Sequence, residues 1–356
     1  MEGTTGALTL AAARIVNGEG GISGSPAWVS LANGRVIATG VGPAPSGALD
    51  LGDALLAPGF VDIQINGAGS VDFATATVDE VVAALDELVA RGTTGILLTL
   101  CSAPLDAYDA MLSRAAAVRD ARPGVVIGVH LEGPFLGGAP GAHPPNLLRE
   151  ADLSFLDRVS RDNFVRLVTL APEADPELHG TRMLSERGVL VALGHSTVDY
   201  DGAIAAADAG ARLVTHLFNG MGSLHHRAPG LPGAALTEPR LVPSLIADFV
   251  HVHQAVVKLA LDVRGDAVLV SDAVRNDQTR LGDGTLAGAT TTLDGSVENV
   301  ATLGLGPGRV IRHATGNPAR VLGLSDRGRI APGARADLLA LDPDTLTVRR
   351  VWTSDA

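Results

Sequence analysis

The chain has 356 residues, of which 46% are apolar and 19% charged; that suffices for one or two packed cores and excludes disorder as a description of the whole. Lys and Arg number 27 against 39 Asp and Glu, a formal charge of −12, so nucleic acid and anionic membrane surfaces are poor partners. The single cysteine, Cys101, excludes an internal disulfide framework. Residues 1–6 carry no basic stretch followed by an apolar core, and no apolar run approaches the ~20 residues of a membrane span, so a cytoplasmic protein is expected.

Along the chain, residues 1–58 read as short strands over 7–16, 27–31 and 35–39, without a helix of useful length. Asn33-Gly34 joins the last two, a dipeptide that favours positive φ in a two-residue hairpin turn. The stretch from Gly328 has the same character, with Pro332-Gly333 and apolar runs ending at Leu341 and Trp352. The two ends, 1–58 and 326–356, are expected to meet in one small β-sandwich domain. Residues 59–325 differ in kind. Strand-like runs recur at 60–64, 95–99, 125–129, 164–169, 190–193, 212–215, 242–247 and 267–271. Helical stretches fall between them at 78–91, 105–119, 176–186, 199–209, 253–262 and 295–303. This alternation over about 250 residues is the arithmetic of an α/β fold of the (β/α)8 TIM-like barrel kind, a doubly wound sheet being the alternative. Polar residues favour the barrel. Asp62, His130 with Glu132, His195, His216, His251 and Asp272 stand at or beyond the C-terminal ends of strands, which converge on one mouth only in a closed barrel.

Two imidazoles and a carboxylate, His195, His216 and Glu132, form a normal ligand set for Zn or Fe(II) with an open position for water. Asp272, ending the eighth strand, is placed to take a proton from water and return it to a leaving group. His143, on the long loop after the third strand, is a candidate donor to a carbonyl oxygen as charge develops there. Asn219, Arg227 and His251 suit an anionic or sugar-like ligand, Arg in particular matching phosphate through its planar fork. Gly194-His-Ser196 lacks the hydrolase nucleophile-elbow pattern, and Gly304–Gly308 fits no nucleotide fingerprint. Cys101, following an apolar strand, is expected to be a core residue.

Several stretches together resemble the N-acetylglucosamine-6-phosphate deacetylases of the amidohydrolase superfamily. They are Pro58-Gly-Phe-Val-Asp-Ile-Gln-Ile-Asn66-Gly67, His130-Leu-Glu-Gly-Pro-Phe135, Gly141-Ala142-His143, Gly194-His-Ser196 and Thr215-His-Leu-Phe-Asn-Gly-Met221. His225-His-Arg227, Ile246-Ala-Asp248 with His251, Ser271-Asp-Ala273, Gly284-Thr-Leu-Ala-Gly288 and Asn317-Pro-Ala-Arg320 follow in the same order. The resemblance implies a metal held by Glu132, His195 and His216, with Gln64-Ile-Asn66 where most of the superfamily has a His-x-His pair. One divalent metal per chain, Zn or Fe(II), is expected, some family members holding a second. Asp272 would be base and then acid, and His143 would polarise the acetyl carbonyl. Ala142, His143, Asn219, Gly220, Leu286, Ala287 and Gly288 would hold the sugar, Arg227 and His251 the phosphate. In the family that arginine comes from the neighbouring subunit, implying a homodimer. The chain departs from the family at Gly220 and Ala228, and in the short segment from Asp272 to Gly288, where Arg275, Asn276 and Asp277 crowd the strand end. An N-acetylgalactosamine 6-phosphate or other N-acyl substrate, or a catalytically silent barrel with a binding role, are the alternative readings.

Overall fold

The computed structural model describes residues 2–3, 7–162 and 164–354, so the leader reading of residues 1–6 falls largely outside the described residues. By contacts the chain separates into two compact units. One contains the chain ends together with Leu85–Gly95; the other comprises Ile63–Ala84 and Ile96–Thr290.

Eight parallel strands stand side by side in chain order: Phe60–Ile65, Thr93–Cys101, Val126–Glu132, Val165–Leu170, Leu190–Leu193, Leu213–Val214, Val242–Ile246 and Val268–Val270. Each coincides with one of the eight expected runs. Their side chains are buried on both faces, as strands enclosed by helices require: every residue of Phe60–Ile65 is buried, Asp62 and Gln64 included. The last strand returns to the first. Asp272 N–H donates to the Gln64 carbonyl at 2.9 Å, and Asn66 N–H to the Ala273 carbonyl at 2.8 Å. Chain-order neighbours and a closing seam are the signature of a barrel, and a doubly wound sheet has neither. Pro243 occupies the second position of its strand, near the start where a missing N–H does least harm.

The six expected helices are present with shifted ends, such as Tyr108–Ala121 and His179–Glu186. Leu153–Val159, Gly230–Thr237, Pro307–Ala314 and Gly316–Val321 were not anticipated. Gly230–Thr237 reads Gly-Leu-Pro-Gly at its start, a turn composition that burial of Leu231, Ala234 and Ala235 overrides. Pro307 is at the first helical position, where its fixed φ is an advantage. No helix among the described residues is long and apolar enough to cross a membrane.

The chain ends form two facing sheets. Strands Ala27–Ala32 and Arg35–Val41 pair antiparallel through Asn33 (φ +49°) and Gly34 (φ +68°), the expected hairpin. They join Leu8–Ala12 and Leu49–Asp50 in a four-stranded sheet. The second sheet contains Leu338–Leu341 and Val348–Thr353 from the C-terminal part, with Leu55–Pro58 and Arg14–Ile15. Leu10, Val29 and Leu31 of one meet Leu56, Leu338 and Trp352 of the other in a single apolar cluster. Trp352 is fully buried there. Trp352→Ala is expected to destabilise this unit by about 3–5 kcal/mol, the range for emptying an aromatic core site. An unchanged thermal midpoint by calorimetry would contradict that packing.

Candidate active site

Glu132 ends the third barrel strand, and His195, His216 and Asp272 each follow the last residue of their strand by two. The last three share an unusual backbone: φ is +50° at His195, +30° at His216 and +47° at Asp272. L-residues adopt such left-handed conformations at a cost of order 1–3 kcal/mol, met only where surrounding packing imposes them. The turn thus bends each side chain from its strand end into the barrel mouth.

The side chains converge closely. Glu132 Oε1 lies 3.2 Å from His195 Nε2 and 3.1 Å from His216 Nε2, and the two Nε2 atoms are 3.1 Å apart. The opposite ring nitrogens face backbone carbonyls, His195 Nδ1 at 3.2 Å from Ala139 O and His216 Nδ1 at 3.1 Å from Asn219 O. Carbonyls accept only, so both Nδ1 atoms carry protons, and in neutral rings both Nε2 atoms present lone pairs. Three acceptors would then face one another with no proton between them, which is repulsive unless a cation sits among them. The donor set, two imidazole nitrogens and a carboxylate with imidazoles oriented by carbonyls, fits a divalent metal. Burial raises the Glu132 carboxyl, but hydrogen bonding and positive charge from the two histidines, when they are protonated, outweigh it and hold the group well below the usual carboxylate range.

Two amides position Asp272. Gln64 Nε2 donates to Glu132 Oε1 at 2.9 Å and to Asp272 Oδ1 at 3.2 Å, and Asn66 Nδ2 donates to the same Asp272 oxygen at 2.9 Å. Deeper in the barrel, His130 bridges Thr169 Oγ1 at 2.8 Å and Thr99 Oγ1 at 3.2 Å, and Thr169 continues to Thr215 at 2.7 Å. Burial pushes His130 down to about 4, so this layer is a neutral hydrogen-bonded floor and not another charge.

Above the cluster opens a cavity of about 690 Å3. Its walls include Ala142, His143, Asn219, Gly220, His251, Leu286, Ala287 and Gly288, together with Asn66 and Cys101. His143 Nδ1 is 2.8 Å from Ser102 Oγ, and its ring stands edge-on to His195 at 4.4 Å between centroids. Burial, then the His195 ring, lower its pKa to about 3, which leaves a neutral imidazole able to donate. His251 Nδ1 is 2.7 Å from Asp248 Oδ2, which fixes the ring against the cavity. Asp277, Gln278 and Arg280, in the segment after Asp272, also reach this wall. Within that segment Arg280 and Leu286 form an isolated antiparallel bridge, and Ala273 and Ala289 a parallel one. Arg227 is not among the lining residues: it is exposed, with Nη1 2.8 Å from His226 Nε2.

Cys101 departs from the core role expected of it. Its Sγ lies 3.0 Å from Asn66 Oδ1 and 3.8 Å from Glu132 Oε2, within the cavity wall. Burial and the neighbouring Glu132 and Asp272 raise the thiol well above its ordinary pKa, so it stays protonated and donates. The signal was present, since Cys101 ends the second barrel strand as Glu132 ends the third. Gln64 and Asn66 carried one too: polar residues two apart in an apolar strand share a face. Asp248 carried one as well, two residues past the end of its strand like His195 and His216, whereas Ser102 had none comparable.

A family model described as the amidohydrolase family matches residues 55–355. The chain is 38% identical over 345 residues to the N-acetylglucosamine-6-phosphate deacetylase of Bos taurus, covering 86% of this chain and 83% of that protein. It is 35% identical over 353 residues to the N-acetylgalactosamine-6-phosphate deacetylase of Escherichia coli O157:H7, covering 90% and 92%. Among solved structures, an aspartate-to-alanine variant of the N-acetyl-D-glucosamine-6-phosphate deacetylase of Mycobacterium smegmatis, in complex with N-acetyl-D-glucosamine 6-phosphate, superposes with a TM-score of 0.90. Identity there is 34%, and 98% of each chain is covered.

Proposed function

Because the chain belongs to the amidohydrolase superfamily, in its N-acetylglucosamine- and N-acetylgalactosamine-6-phosphate deacetylase family, we propose that it hydrolyses the acetamide of N-acetyl-D-glucosamine 6-phosphate to acetate and D-glucosamine 6-phosphate. The observation that carries this reading is the convergence of Glu132, His195 and His216 beside Asp272 at the floor of a sugar-sized cavity. Residues 59–325 form the catalytic barrel in this reading, and 1–58 with 326–356 the small β domain.

Glu132, His195 and His216 hold one Zn or Fe(II), to which a carboxylate and two imidazoles are equally suited. A divalent cation held there would supply Lewis-acid polarisation of the acetamide carbonyl and would make water more acidic. Asp272, held by Gln64 and Asn66, takes a proton as water adds to the carbonyl carbon and returns it to the nitrogen as the C–N bond breaks. Neutral His143 donates to the carbonyl oxygen as it gains charge. The Asn219–Gly220 and Leu286–Gly288 segments, with Ala142, surround the sugar, and His251 meets the phosphate. Arg227 completes the phosphate site from the neighbouring subunit of a homodimer, a reading supported by its absence from the cavity of its own chain.

The test is acetate release from N-acetylglucosamine 6-phosphate, its galactosamine epimer and unphosphorylated N-acetylglucosamine, with metal content measured on the same preparation. Preferred turnover of the first compound supports the proposal. Metal-loaded protein inactive on all three would overturn it. The similarity to the E. coli galactosamine enzyme keeps the epimer as the second reading. The origin of Arg227 has its own test in coexpression of Arg227→Ala with Asp272→Asn. A heterodimer then holds one intact site only if Arg227 acts across the interface, so random pairing should restore about a quarter of wild-type activity. No recovery from mixed dimers would place Arg227 in its own site.

A further inference from the structure

A second cavity, of about 530 Å3, is built entirely from the unit formed by the chain ends. Three backbone segments meet there so closely that only glycine fits: a Cβ on Gly18 would lie 1.9 Å from Gly328 O, and one on Gly316 2.0 Å from Gly18 O. In a chain of charge −12, this cavity is lined by four arginines, Arg312, Arg320, Arg327 and Arg329, and one carboxylate, the exposed Glu19.

Among the described residues, a carboxylate pairs with one of the four. Arg327 Nη1 lies 3.3 Å from Asp337 Oδ2 and donates to the Thr94 carbonyl at 3.1 Å. Arg312 Nε and Arg320 Nη2 instead both donate to Asn317 Oδ1, at 3.1 and 2.9 Å. Two cations therefore share one neutral acceptor within about 6 Å of each other, inside the ~8 Å over which physiological salt screens charge. Arg329 Nε is buried without an acceptor, and no ion pair is formed by Arg329 among the described residues. A buried guanidinium N–H without an acceptor, as at Arg329 Nε, is unfavourable, and so is the crowding of Arg312 and Arg320 on one neutral oxygen without a counter-ion; an anion among the three relieves both defects.

We propose that this cavity is a binding site for a phosphate-bearing small molecule, recognised by Arg312, Arg320 and Arg329. Planar guanidinium forks match the oxygens of phosphate, and the volume falls within the ~300–1,000 Å3 of small-molecule sites, larger than one phosphate group fills. The site shares no residue with the barrel cavity, so the proposal stands apart from the reaction assigned above.

The experiment is isothermal titration of the metal-loaded protein with inorganic phosphate and with pyrophosphate at constant ionic strength, in the Arg227→Ala background, which weakens anion binding at the barrel cavity. The expected result is saturable binding near one per chain, tighter for pyrophosphate. It should weaken about tenfold or more in Arg312→Gln and Arg329→Gln, with kcat/KM of the otherwise wild-type enzyme unchanged by either substitution. Arg320→Gln alters an exposed side chain and keeps the test valid if Arg329→Gln fails to fold. Absence of saturable binding, or binding unaffected by Arg312→Gln and Arg320→Gln, would overturn the proposal.

Discussion

Asp272→Asn is expected to lower kcat for acetate release by roughly 10²–10⁴-fold, the usual share of a general acid–base group, while the metal content stays at wild-type level. Asn is nearly isosteric, and its amide oxygen can still accept from Gln64 and Asn66, which lie 3.2 and 2.9 Å from Asp272 Oδ1. What it lacks is the capacity to take a proton and give it back. Single-turnover acetate release measured beside elemental analysis separates this from loss of the metal. A variant within tenfold of wild type would remove Asp272 from proton transfer and direct attention to His143, another buried titratable group at the cavity. Loss of metal along with activity would instead make Asp272 a ligand.

Glu132→Gln is expected to weaken Zn binding by more than 100-fold and to remove activity with it, beyond the ~10–100-fold typical of groups that only orient a ligand. Glu132 Oε1 is the atom that both imidazole Nε2 atoms and the Gln64 amide approach within 3.2 Å. With Gln in its place, the sole negative charge of the donor set is gone, and an amide nitrogen competes for the space its oxygen held. Equilibrium dialysis against a metal buffer gives the affinity directly. Stoichiometric metal in this variant after dialysis would mean that the cation sits elsewhere. Affinity should also fall with pH in the wild-type protein, because the imidazoles must be neutral to bind metal.

Much of the architecture was legible because a barrel repeats one local rule eight times. A short Val/Leu-rich run followed by a polar residue marks a strand and its mouth-facing end, and the eight runs found this way are the eight strands. The helices were less legible. Gly230–Thr237 and Gly316–Val321 carry Gly and Pro at their starts, and their helicity comes from what they bury. Glu132, His195, His216 and Asp272 stood out for their position at strand ends, yet so did Cys101, whose apolar reading hid its place beside Asn66 and Glu132. Chemical type was a poorer guide there than position.

The sequence by itself determined the strand count, the chemistry at the strand ends and the family motifs, since each of these resides in a few consecutive residues. Tertiary structure alone decided the rest. Gln64 and Asn66 meet Asp272 only because the eighth strand closes on the first, more than 200 positions away along the chain. The four arginines of the second cavity come from one stretch, 312–329, but the loop at Gly18 closes against that stretch only because Gly18, Gly316 and Gly328 carry no side chain. Closure and close approach are properties of the whole packed chain, set by burial of both faces of every strand, and no local window of sequence carries them.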